Sequence, residues 1–133
     1  SAASDVYKRQ EMAYATAAAL WQAKKLSQAR SYAQKAISFN ESYGEPYILL
    51  AQMYGSNPNW SDEPALNRCT YFVVIDKLQR AKAVDPSVTD KVNELISTYA
   101  RHTPQAKDLF MLGYKAGDRI TIGGWIGEST TIR

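Results

Sequence analysis

Cysteine and histidine are the side chains best able to act as nucleophile, general base or metal ligand, and the chain holds one of each, Cys69 and His102. A Cys-His dyad needs a third group to orient the base and an oxyanion site to hold the developing charge. Cys69 falls in a helical stretch, whereas His102 stands beside Thr103-Pro104 at what reads as a helix end, so no third group is supplied. A structural zinc site would have to recruit carboxylates, because one His and one Cys fill only half of its four positions. The run "GGWIG" at 123–127 lacks the Gly-Lys-Ser/Thr ending of a phosphate loop and precedes no helix, so its glycines read as those of a tight turn. Asp62 and Glu63 lie in a turn without an apolar pocket to raise a carboxyl pKa, and read as helix caps. The residues define no reaction, cofactor or metal, and the chain reads as a non-enzyme.

Composition bounds the remaining classes. A chain of 133 residues with 45% hydrophobic content forms one domain with a real core. Sixteen Lys and Arg against thirteen Asp and Glu give +3, but the basic residues are interspersed with acids, which argues for a solvated mixed surface and against nucleic acid as a partner. The longest apolar runs, such as Tyr71 to Ile75, are far too short to span a bilayer. A lone cysteine excludes an internal disulfide and leaves the compartment open.

The elements emerge from self-similarity. At an offset of 34 residues, Ala13, Thr16, Ala17 and Leu20 fall on Tyr47, Leu50, Ala51 and Tyr54. A following helix carries small residues at Ala29, Ala33 and Ala36, and its counterpart carries Val74, Leu78 and Ala81. Ala36 to Ala81 is 45 residues, as are Ala51 to Ile96 and Tyr54 to Tyr99, so two sets of anchors report the same insertion of 45 − 34 = 11 residues. It lies at about 55–64, in "GSNPNWSDEP", as an enlarged turn that ends the helix containing Tyr54. The next helix is expected to begin near Asp62 to Pro64, with Asp62 as N-cap. Ser42-x-x-Glu45 and Ser87-x-x-Asp90 read as capping boxes. Val92, Leu95, Ile96 and Tyr99 mark a further helix, and Thr103-Pro104 opens a short last one to about Leu112. From 114 to 133 the Ile, Thr, Trp and Gly content predicts a hairpin, with strands at 119–125 and 129–133 and a two-residue type II′ turn at Gly127-Glu128. Such a hairpin must lean on the helices or on chain beyond them.

This pattern of large and small positions resembles the tetratricopeptide repeat (TPR) family over residues 11–112. The resemblance implies an all-α fold, a right-handed TPR-like α-solenoid of about two and a half helix pairs over 11–113, closed by the small C-terminal β-hairpin. Ala13, Thr16 and Ala33 are smaller than the family pattern, and the insertion departs from it. The enlarged turn, "DKLQRAKAVDPS" and the closing "GDRITIGGWIGESTTIR" are similar to the C-terminal end of bacterial TPR proteins of the cell envelope, which implies a periplasmic or envelope location. The opening "SAASDVYKRQ" resembles translated sequencing-adapter read-through, which implies a non-native extension at 1–10 and the loss of preceding repeats.

The family's function is protein-protein interaction, so the resemblance implies a scaffold holding another protein's peptide or helix in a concave groove. Carried over residue by residue, the groove would present Tyr14, Trp21 and Gln22 from the first repeat. The second would add Glu45, Ile48 and Gln52, and the third Asn93 and Arg101. Tyr14, Trp21 and Ile48 have two open readings, partner anchors or packing for a preceding repeat. Trp60 likewise either anchors the enlarged turn or is an exposed contact. A second function remains open in which the hairpin pairs strands with a partner.

Overall fold

The computed structural model describes residues 1–133. Alanines set the first contact. Helix α1 (Ala2–Gln22) packs on α2 (Leu26–Phe39), and Ala13, Ala17, Ala29, Ala33 and Ala36 are all buried between them. Small side chains let two helix backbones approach closely. Lys24 makes the reversal with a left-handed φ of 63°, while Lys25 N–H donates to Leu20 C=O and Lys24 N–H to Trp21 C=O. These two bonds satisfy the last carbonyls of α1, at a position where glycine is the usual choice. Residues 1–9 are exposed, but α1 runs unbroken through the boundary expected at residue 10, and Gln10 is its first buried residue.

Helix α3 (Glu45–Ser56) is the centre of the molecule, with eight buried residues including Leu50, Ala51 and Tyr54. It packs on α2 on one side and on α5 (Thr70–Val84) on the other. Its N-terminus is not closed by Ser42. Gly44 is the capping residue, and its N–H donates to Asp85 Oδ2 at 2.9 Å. Asp85 also accepts from Ser87 N–H and hydroxyl, capping a 3-10 turn at Pro86–Val88, so Ser87 caps nothing and both expected capping boxes are absent. One aspartate between the ends of two helices outcompetes two local serines because it serves three donors at once.

The enlarged turn spans 57–63, ending in the one-turn helix α4 (Pro64–Arg68) that bends at Cys69 into α5. Asp62 is not its cap; Glu63 occupies that position without a side-chain bond. Asn67 organises the loop instead, accepting from the N–H groups of Trp60 and Ser61 at 2.9 and 2.8 Å and donating to Ser61 C=O. Trp60 is the anchor of this turn. Its indole N–H donates to Leu66 C=O at 3.1 Å, and its ring covers Gly123, where an added Cβ would lie 2.9 Å from the indole. Gly55 has a similar cause, since a Cβ there would meet the Tyr99 ring at 2.5 Å. Tyr99 lies on α6 (Thr89–Ala100), which packs on α5 with Val92 buried and Leu95, Ile96 and Tyr99 half-buried. No helix is long and apolar enough to cross a membrane.

After α7 (Ala106–Met111), strands β1 (Arg119–Thr121) and β2 (Ser129–Thr131) pair antiparallel, with Ile120 opposite Thr130. Both strands are shorter than expected, and no two-residue turn joins them. Ile122 N–H donates to Glu128 C=O at 2.8 Å, leaving residues 123–127 as a loop that folds inward. Ile120, Ile122, Ile126 and Ile132 are buried. Each such side chain contributes up to about 1.5–3 kcal/mol, enough to hold a hairpin that would be marginal alone. The anchorage is α5, where Thr130 Oγ1 donates to Asp76 Oδ2 at 2.7 Å and Arg133 pairs with Asp76 and lies 5.0 Å over the Phe72 ring.

Candidate partner-binding groove

Tyr14, Ala18, Trp21 and Gln22 follow one another along a single face of α1, and Gln52, Ser56 and Asn57 stand across from them at the end of α3. With Lys24 and Leu49 they enclose an open cavity of about 530 Å³. Of the candidate residues, Tyr14, Trp21, Gln22 and Gln52 are therefore brought together. Trp21 and Gln52 are half-buried and Gln22 is exposed, so the groove offers the rings of Tyr14 and Trp21 beside the amides of Gln22, Gln52 and Asn57. Amides donate and accept, which suits the backbone of an extended or helical peptide.

Tyr14 also packs against Tyr43, ring centroids 6.1 Å apart and tilted 57°. Burial pushes both phenols above their ordinary pKa, the negative charge of Glu45 adding to the shift and Lys91 opposing it at Tyr14. Glu45 takes its place at this end through an ion pair with Lys91 of α6 at 3.1 Å. The pair is partly solvated and contributes little stability, but it fixes a negative group near the aromatic pair.

Glu45 does not line the cavity itself, and three further candidates lie elsewhere. Ile48 is only 1% exposed and belongs to the core. Residues four apart share a helix face, and along the stripe Ile48, Gln52, Ser56 the side chains pass from buried to half-buried to exposed as α3 emerges from its neighbours. Asn93 accepts a hydrogen bond from Lys82 Nζ of α5 at 2.9 Å, and Arg101 is exposed at the end of α6, so neither lines the cavity. No residue of α6 lines this cavity, and Lys91 reaches only Glu45 beside it. Lys24, Leu49 and Asn57 were not anticipated. Nothing in the sequence signalled that the turn at Lys24 closes the cavity.

The chemistry-bearing residues remain apart. Cys69 is fully buried, and burial pushes its thiol up to about 11. His102 stacks on Tyr71 at 5.1 Å and shares no hydrogen bond with Cys69. No three His, Cys, Asp or Glu side chains gather as a metal site requires.

A polar cluster that the sequence reading missed lies under the hairpin. Glu128 accepts from Lys77 Nζ at 2.6 Å and from the Tyr54 hydroxyl, and lies 3.4 Å from Arg30, whose Nε donates to Tyr54 at 2.8 Å. Trp125 meets Tyr54 edge-on at 5.2 Å. Burial alone would raise the Glu128 pKa, but the bonds from Lys77 and Tyr54 and the charges of Lys77 and Arg30 outweigh it and hold the carboxyl below its ordinary range. The Tyr54 phenol is held far above its usual value, by burial first and then by the Glu128 charge. This cluster ties α2, α3, α5 and the hairpin together.

No protein-family model, curated protein or solved structure matches the chain.

Proposed function

We propose that the chain is a protein-protein interaction scaffold, a short right-handed TPR-like solenoid that holds a peptide or partner helix against α1 and α3. The observation that carries this reading is the shared cavity of about 530 Å³, where Tyr14, Trp21, Gln22 and Gln52, named from the repeat register, face one space. The succession of packed neighbours, α1 on α2, α2 on α3, α3 on α5 and α5 on α6, supports the solenoid. An aromatic anchor flanked by amides suits recognition of a partner's side chain and backbone together. Strand pairing by the hairpin draws less support, since its strands have three residues each and its isoleucines are buried.

The test uses peptides selected from a displayed random library against the full chain. Trp21→Ala is expected to weaken selected binders about thirtyfold, the ~2 kcal/mol of an aromatic hot spot, and Gln52→Ala by a smaller factor. Circular dichroism establishes that both variants stay folded. Binders indifferent to both substitutions, or none at all, would refute the reading.

A further inference from the structure

A second cavity, sharing no residue with the first, lies between α7 and the end of β2 and measures about 480 Å³. Its floor is apolar and buried, with Leu109 at 1% and Ile132 at 3% exposure. Its lip is apolar and open, since Phe110 and Met111 are 74% and 84% exposed. Its charged rim has one sign. Lys107, Lys115 and Arg133 line it and no Asp or Glu does, Asp108 of α7 included. Arg133 is engaged by Asp76, whereas Lys107 and Lys115 have no carboxylate partner.

We propose that this trough docks an acidic amphipathic segment of a partner protein, with large apolar side chains seated on Leu109 and Ile132 and flanking Asp or Glu meeting Lys107 and Lys115. Charge complementarity selects that occupant: two unpaired cations beside an apolar floor favour carboxylates at the flanks and reject basic segments. Concavity separates it from a lipid surface, which would cover Phe110 and Met111 but leave the recessed floor unfilled. The site is independent of the Tyr14 and Trp21 groove and stands or falls without it.

The probes are two fluorescein-labelled helical peptides of about 12 residues with the same Leu and Phe stripe, one flanked by Glu and one by Lys. Fluorescence anisotropy is expected to show the Glu peptide binding the full chain at least about tenfold tighter, with the preference shrinking at high salt. Lys107→Glu with Lys115→Glu inverts the order, and Phe110→Ser weakens both peptides. All three residues are exposed, so folding is unaffected and thermal melts verify it. Failure of the Glu peptide to bind, or binding unchanged by charge reversal, overturns the proposal. So does a different occupant: cosedimentation with phosphatidylglycerol vesicles lost in Phe110→Ser assigns the face to a membrane, and a dimer lost in that variant assigns it to a second copy.

Discussion

Replacing Tyr54 with Phe removes one oxygen from the centre of the molecule and tests whether the buried cluster or the ring holds it. That hydroxyl accepts from Arg30 Nε at 2.8 Å and donates to Glu128. Without it Arg30 keeps a contact to Glu128 at 3.4 Å and Glu128 keeps Lys77 at 2.6 Å, so neither charge is stranded. The cost is then at the lower end for charge-assisted bonds, about 1.5–2 kcal/mol. Tyr54→Ala also empties a fully buried site and removes the edge contact with Trp125, for about 3–5 kcal/mol in total, a large part of the 5–15 kcal/mol typical of a domain. Urea unfolding followed by far-UV circular dichroism measures both. A cycle of Tyr54→Phe with Glu128→Gln should give a coupling of about 1 kcal/mol or more. A loss below about 1 kcal/mol for the alanine variant, within the range of surface substitutions, would refute the placement of Tyr54.

Three further outcomes are expected. Glu128 has a folded pKa below its unfolded value, so its contribution is present above about pH 4.5 and is lost as the pH falls through the folded pKa; urea titrations across the acid range should show a shallower loss for Glu128→Gln. Asp85, held down by the Ser87 hydroxyl and the Gly44 N–H, titrates in the same direction, so that variant keeps part of the acid loss. Lys24→Gly should raise stability by up to about 1 kcal/mol by relieving a left-handed residue, and an unchanged or lower melting temperature would contradict the turn geometry. Cys69 should resist a thiol reagent at pH 8 in the native chain and react fully in denaturant, with rapid native labelling counting against its burial.

The large and small core positions were legible because they rest on volume. Ala36, Ala51, Ala81 and Tyr54, all read from the offsets of 34 and 45 residues, are 0% exposed, and the helix that holds Tyr54 ends at Ser56 ahead of a turn at 57–63. Tyr99, the counterpart of Tyr54 at 45 residues, is only half-buried, because no helix packs beyond α6 to close its other side. Caps were misread for another reason. Ser42, Asp62 and Ser87 satisfy a local rule, but Gly44 N–H bonds to Asp85, 41 residues on, Ser87 itself donates to Asp85, and Asn67 fixes the loop ahead of α4, none of which spacing within one helix reveals. Glu128 was taken for a turn residue beside glycine, and its role depends on Arg30, Tyr54 and Lys77, three positions on three helices. In the groove, Ile48 follows the same face as Gln52, and only the packing of both flanks of α3 decides where that face leaves the core.

Arg30 and Tyr54 stand 98 and 74 residues before the carboxylate that joins them. A ribosome adding about 5–20 residues per second makes Glu128 roughly 4 to 15 s after Tyr54. Until then Arg30, and Lys77 once it is made, lack their anion, and the Tyr54 ring lacks its cover until Trp125 is added. A chain that stops before residue 125 lacks both groups, and with them the strand that packs on α5. The cluster that joins α2, α3 and α5 is thus the last part of these helices' packing to form, because its carboxylate and its covering indole both arrive with the hairpin.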